Sequence, residues 1–329
     1  GGRPPAPPGD ARGPGPPARM TEDGVVDCKY FIRGKLGKGR GGGAVYRAEP
    51  VKEPRDLVAV KYPASHTELN ALRALEAREP RCLGVPRLLH WGEHRRRPYL
   101  VTELLGATLA DVFRQLWKSP LAKRWPQVQL LGRMVLRRLE ALHRCGYVHG
   151  DVSPGNVLCG ETGGGGTGLF LVDFGCARPF PGGEPVMAFW STVEFDSIRV
   201  VDNRAREPYD DLESLAYLLC HGVYGELPWF KWARSQKKWE GPGRDEACQK
   251  VREAKSFLLW GQWSMLGLEW LHFMEMPVDL RKFLLASVCR RDAEDGLPDY
   301  GALAALLGAK TDDEADQVAL KEVLELLEL

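Results

Sequence analysis

The spacing of the apolar residues changes part-way along the chain, and that change limits the folds open to it. From about residue 25 to 103 they fall in short strand-length runs, Tyr30 to Leu36, Ala44 to Ala48, Leu57 to Tyr62 and Tyr99 to Thr102, with one helical stretch between them. After Glu103 they recur at helical intervals through Leu130 to Cys145, Asp211 to Gly222 and Leu280 to Cys289. The pattern predicts an α+β protein, with a small β-rich part carrying one main helix (25–103) and a helical part (104–310) behind it. Loops around Gly163–Gly166, Pro181–Glu184 and Glu240–Arg244 interrupt the helices, each being a poor helix or strand former. Residues 311–329 carry a capping box in Thr311 and Glu314 and an apolar stripe of Leu320, Val323, Leu324 and Leu327, predicting an amphipathic helix packed on the domain.

With 329 residues and 44% hydrophobic content the chain can bury a substantial core. A formal charge of +1 gives no general attraction for polyanions, so nucleic-acid binding would need a local patch. The eight cysteines stand singly, with no Cys-x-x-Cys pair, which argues against structural zinc and a disulfide framework and fits a reducing compartment. No run approaches the roughly twenty apolar residues that cross a bilayer. The expectation is a soluble intracellular protein, cytoplasmic or nuclear, with no membrane attachment. Residues 1–24, mostly Gly and Pro up to position 19, are expected to be a disordered tail.

The polar motifs fit the handling of a triphosphate. Gly37, Gly39 and Gly42 lie between two strand-like runs, where glycine lets backbone N–H groups approach phosphate oxygens without a Cβ in the way. Val58-Ala59-Val60-Lys61 reads as a strand ending in an ammonium suited to α- and β-phosphates. Glu68, followed by Leu72 and Leu75 at helical spacing, is placed to pair that lysine, with Glu76 as the competing carboxylate. Downstream come His149-Gly150-Asp151-Val152-Ser153-Pro154-Gly155-Asn156 and then Asp173-Phe174-Gly175.

These last two stretches resemble the H-x-D-x-x-x-x-N catalytic loop and D-F-G magnesium loop of protein kinases. The resemblance implies a bilobal protein kinase fold, ATP and Mg²⁺ as cofactors, Asp151 as acceptor of a substrate hydroxyl proton, and Asn156 and Asp173 as magnesium ligands. Val101-Thr102-Glu103-Leu104-Leu105-Gly106 is similar to the hinge of casein kinase 1 enzymes, which implies adenine binding by the backbone of Glu103 and Leu105, a gatekeeper role for Thr102, and an apolar sandwich from Val45, Ala59 and Leu158. Ser191-Thr192 with Phe195-Asp196-Ser197-Ile198 resembles the substrate-docking segment of that family. Asp210-Asp211-Leu212-Glu213 resembles the helix behind it, with Asp211 bonding the catalytic-loop backbone. Gly225-Glu226-Leu227-Pro228-Trp229 and Pro298-Asp299-Tyr300 extend the likeness over about residues 25–308, and His149-Gly150-Asp151 is similar to the vaccinia-related branch. The resemblance implies a monomeric Ser/Thr kinase acting on protein substrates.

Four departures stand out. Gly150 replaces an arginine that would meet an activation-loop phosphate, so no phosphorylation-driven switch is expected there. Ser153 occupies the place of a lysine near the γ-phosphate, predicting low turnover. Glu194 stands where casein kinase 1 enzymes carry a phosphate-pocket arginine. The Gly-rich stretch holds one residue too many, and the interval from Lys61 to Glu68 is short. A pseudokinase scaffold and a small-molecule kinase of the aminoglycoside or choline kinase type are the alternatives. Cys176 is expected to be a small buried hydrophobe and Arg95-Arg96-Arg97 a solvated hairpin tip.

Overall fold

The computed structural model describes residues 24–38, 43–52, 56–182, 192–202, 204–234, 243–289, 296–308 and 313–329. The tail up to residue 23, Gly39, Gly42, Ser191 and Thr311 lie outside them. Contacts divide the chain into two compact units, Gly1–Ala64 with Leu89–Thr102 and Ser65–Leu88 with Glu103–Leu329.

The first unit is built on a six-stranded sheet of β1 (Val25–Val26), β2 (Tyr30–Lys38), β3 (Ala44–Pro50), β4 (Val58–Tyr62), β5 (Leu88–His94) and β6 (Arg97–Glu103), in the order β1-β2-β3-β4-β6-β5. The β-branched and aromatic residues of these segments suit a pleated surface with one buried face. That face gathers Tyr30, Ala48, Val58, Val60, Tyr62, Tyr99 and Val101, and the Tyr99 hydroxyl donates to Asp27 Oδ2 at 2.7 Å. The register of β2 against β3 shifts between Ile32 and Gly34 and again between Lys35 and Gly37. Such bulges insert a residue without flipping the rest of the strand to the wrong face. Arg95 and Arg96 form the turn between β5 and β6, both exposed and at positive φ.

The second unit carries α1 (His66–Glu76), α2 (Leu109–Leu116), α3 (Leu121–Arg144), β7 (Tyr147–Val148), β8 (Val157–Glu161), β9 (Thr167–Leu171) and β10 (Arg178–Pro179). Then follow α4 (Ile198–Val201), α5 (Pro208–Tyr224), α6 (Phe230–Ala233), α7 (Gly243–Leu259), α8 (Val278–Val288), α9 (Tyr300–Leu306) and α10 (Asp313–Leu326). The sequence assigns the helix now seen as α1 to the β-rich part. By contacts it groups with the helical unit, because it packs on the turn Phe174–Cys176. It starts as soon as the chain allows: Ser65 caps it, its Oγ accepting from the Glu68 amide at 3.1 Å, so the short interval after Lys61 places Glu68 in the first turn. The centre of the unit is α5, buried along almost its whole length and packed on α3 and α8. At the α3–α5 crossing Gly132 admits Leu219, whose Cδ2 would lie 2.8 Å from a Cβ there. Two small ribbons, β7 with β10 and β8 with β9, frame the loop 149–156.

The C-terminal helix docks on α3. Leu320 and Leu324 of its stripe are buried, and ion pairs tie it to α3 as well. Asp316, 0% exposed, accepts from Arg133 Nε at 2.8 Å and Arg137 Nη1 at 2.6 Å. Asp313 pairs with Arg138, itself 1% exposed.

Candidate active site

The loop 149–156 is held from below by one carboxylate. Asp211, in the first turns of α5, accepts the His149 amide at 2.7 Å on Oδ2 and the Gly150 amide at 2.8 Å on Oδ1. It also takes His143 Nε2 at 2.9 Å, and the far nitrogen of that ring meets the Tyr300 hydroxyl. Burial alone would raise the Asp211 carboxyl, but hydrogen bonding and charge from His143, with His149 and the Gly150 amide, prevail and hold it below the usual carboxylate range. Two backbone donors that would otherwise be orphaned in a buried loop are thus satisfied.

His149 ties the loop to the next one. Its Nδ1 accepts the Asp151 amide at 3.2 Å, which leaves Nε2 to carry the proton donated to the Val172 carbonyl at 3.0 Å. The ring lies against Phe174, centroids 5.1 Å apart. Asp173 sits between those anchors at φ +63, an uncommon conformation for a residue with a side chain, and Oδ1 accepts the Gly175 amide at 3.4 Å.

Asp151 is buried and oriented from two sides. Its Oδ1 accepts both the amide and the hydroxyl of Thr192, each at 2.7 Å, and its Oδ2 accepts Asn156 Nδ2 at 2.8 Å. The same Nδ2 donates to the Asp151 carbonyl at 2.9 Å, so the Asn156 amide turns its nitrogen to Asp151 and its oxygen away. Ser153 is buried within the loop, its carbonyl accepting the Asn156 amide at 3.0 Å.

Gly150 adopts φ +73, and a Cβ there would stand 2.7 Å from Arg206 Cδ and 2.8 Å from the Cys176 carbonyl. Arg206 is a buried cation whose Nη1 lies 3.6 Å from Asp196 Oδ1. Cys176 is buried. Gly150→Ala therefore combines a left-handed backbone with a clash against a carbonyl that cannot swing aside, and should cost about 2 kcal/mol. Chemical denaturation measures it; a midpoint equal to the parent's would contradict the close packing described.

The remaining sequence-predicted residues are distributed over the two units. In the first unit Gly37 is paired with Val45, Val45 with Lys61, and Arg47 with Ala59. By the two-residue alternation of strands, Gly37, Val45, Ala59, Lys61 and Thr102 share the face opposite the Tyr30–Val60–Tyr99 core, with Lys61 buried. In the second unit Glu103 exchanges bonds with Arg87, backbone at 3.3 Å and carboxylate at 2.7 Å. Leu105 lies beside β8, where Gly106 and Cys159 are bonded at 2.7 Å and Leu158 bridges to Thr108. Glu68 is buried on α1, whereas Glu76 accepts the Leu88 amide at 3.1 Å and pairs Arg81 at 3.4 Å.

A family model described as the protein kinase domain matches residues 30–289. The chain belongs to the protein kinase family. Its β-rich and helical units are those of the bilobal kinase fold, and kinase domains as a class are phosphotransferases that use ATP and Mg²⁺ and act on proteins. The donor set fits a hard cation: an amide oxygen from Asn156 and a carboxylate from Asp173. Among the described residues no group of three or more His, Cys, Asp or Glu is placed to hold a metal. No helix among the described residues is long and apolar enough to cross a membrane.

Three residues around the loop 149–156 escape a sequence reading. His143 looks like one more residue of an amphipathic helix, Thr192 like part of a docking loop, and Arg206 like a surface charge after a turn. Only the fold brings the first to Asp211, the second to Asp151 and the third to Gly150.

Proposed function

We propose that the chain is an active ATP- and Mg²⁺-dependent protein Ser/Thr kinase of the casein kinase 1 and vaccinia-related type, working as an intracellular monomer. The observation that carries this is the Asp151 carboxylate, buried, with donors on both oxygens from Thr192 and Asn156. A carboxylate fixed in this way is a positioned acceptor for a hydroxyl proton. In the proposed reaction the substrate hydroxyl oxygen bonds to the γ-phosphorus, the bond to the β-phosphate oxygen breaks, ADP leaves, and the proton goes to Asp151. When bound, Mg²⁺ neutralises charge on the phosphate oxygens; Asn156 and Asp173 would hold it. Lys61 and Glu68 keep the roles the resemblance implies, as do Gly37, Gly39 and Gly42 at the phosphates. Val45, Ala59, Thr102, Glu103, Leu105 and Leu158 would surround adenine. Thr192, joined to Asp151, supports a protein substrate, because the residues that follow it are those resembling a docking segment.

The test is transfer of labelled γ-phosphate to a basic protein substrate, with and without Mg²⁺, followed by analysis of the labelled amino acids. Mg²⁺-dependent label on serine and threonine is expected. Absence of transfer to any acceptor would leave a pseudokinase, and label on choline or an aminoglycoside but on no protein would place the chain with small-molecule kinases.

A further inference from the structure

Residues 192–196 form a tight turn, with the Phe195 and Asp196 amides returning to the Thr192 carbonyl at 2.7 and 3.1 Å. Its first residue is the one that donates twice to Asp151. What lies beneath the turn is a charge. Lys255, from α7, is 0% exposed and donates Nζ to the Val193 carbonyl at 3.0 Å and also to the Asp196 carbonyl. The same ammonium lies 4.9 Å from the Tyr217 ring centre and 5.4 Å from that of Trp229. Trp229 in turn donates Nε1 to the Glu194 carbonyl at 2.7 Å, so the Val193, Glu194 and Asp196 carbonyls of the turn are all bonded.

An ammonium removed from water is costly unless every part of its shell is replaced. Carbonyl oxygens and two ring faces do so here. Burial brings its pKa down to about 8, while the Asp196, Glu213 and Glu194 charges act the other way. An apolar side chain would fill the same space at lower desolvation cost, but it would not fix two carbonyls in direction. The placement of Lys255 is informative because those carbonyls belong to the turn that presents Thr192.

We propose that Lys255 is a positioning residue of the phosphoryl-transfer site, setting the place of the Asp151 carboxylate through the 193–196 turn and Thr192. The proposal rests on the kinase reading above. Lys255 touches neither substrate nor nucleotide in this role.

Lys255→Met keeps the length and removes the charge. It should lower kcat for a protein substrate by about tenfold or more, since small displacements at a reacting centre carry large rate penalties. The melting shift produced by ATP and Mg²⁺ should stay unchanged, and amide exchange at Thr192–Asp196 should quicken. A residue that only supported the fold would lower the melting midpoint without this split between turnover and nucleotide binding. Unchanged kcat with unchanged exchange overturns the proposal. Should Lys255→Met fail to melt cooperatively, Thr192→Val breaks the next link and should reduce kcat with the same unaltered nucleotide shift; parental kcat there overturns it equally. Parent protein that transfers no phosphate sinks the kinase reading alone, because the exchange rates at 192–196 still decide whether Lys255 holds the turn.

Discussion

Asp151→Asn is expected to reduce kcat by about a thousandfold, the usual worth of a positioned proton acceptor, while the protein still melts at a higher temperature with ATP and Mg²⁺. The substitution is nearly isosteric, so the loss has a chemical cause. The amide oxygen can still accept from Thr192, but an amide nitrogen then faces the Asn156 nitrogen, which donates to Asp151 Oδ2 at 2.8 Å. Two donors pointing at each other in a buried loop cost about 1–2 kcal/mol, so a modest fall in stability should accompany the loss of turnover. The mirror substitution separates the two effects. Asn156→Asp places a second carboxylate against Asp151 and should raise the apparent pKa of the pair, as like charges do. Transfer by Asp151→Asn at the parental rate would remove Asp151 from the mechanism.

The largest structural effect is expected at the C-terminal helix. Asp316→Ala leaves Arg133 and Arg137, 17% and 19% exposed, facing an apolar stump where a fully buried carboxylate stood. Breaking such a pair from one side costs about 3–5 kcal/mol, because the surviving charges lose their closest partner while still largely desolvated, although Arg137 still reaches Asp313 at 3.4 Å. A fall in the melting midpoint of roughly 5–10 °C follows for a domain of this size. Deleting the chain from Asp313 onward should cost more, since Arg138 loses its carboxylate too. α9 and α10 both lie beyond the residues the kinase family model covers, so a chain trimmed to that match would expose this arginine cluster. Parental melting of the trimmed chain would show that the ion pairs hold the helix and do nothing for the domain.

The fold class was legible because it rests on spacing. Runs such as Val58–Tyr62 and Leu130–Cys145 carry their period in the chain itself. Asp211 was legible for another reason: a fixed motif placed it on the helix behind the loop, and it does accept the His149 and Gly150 amides. What the buried face of α1 meets, the turn Phe174–Cys176, is not written in the helix's own residues. The choice between Glu68 and Glu76 was likewise closed to a reading of spacing. Glu76 accepts the Leu88 amide and pairs Arg81, contacts made after the helix that spacing does not foretell. Lys255 and Arg206 were invisible because a buried cation and a solvated one are spelled the same way, and only long-range packing distinguishes them.

The exchange of side chain for space at Gly150 has a last consequence. An arginine carried by the loop would be free to swing toward an incoming phosphate and to relax when it left. The guanidinium of Arg206 is instead walled in, beside Asp196 and against the Gly150 backbone. The charge it carries is thus balanced inside the folded domain by Asp196 rather than borne on the loop itself.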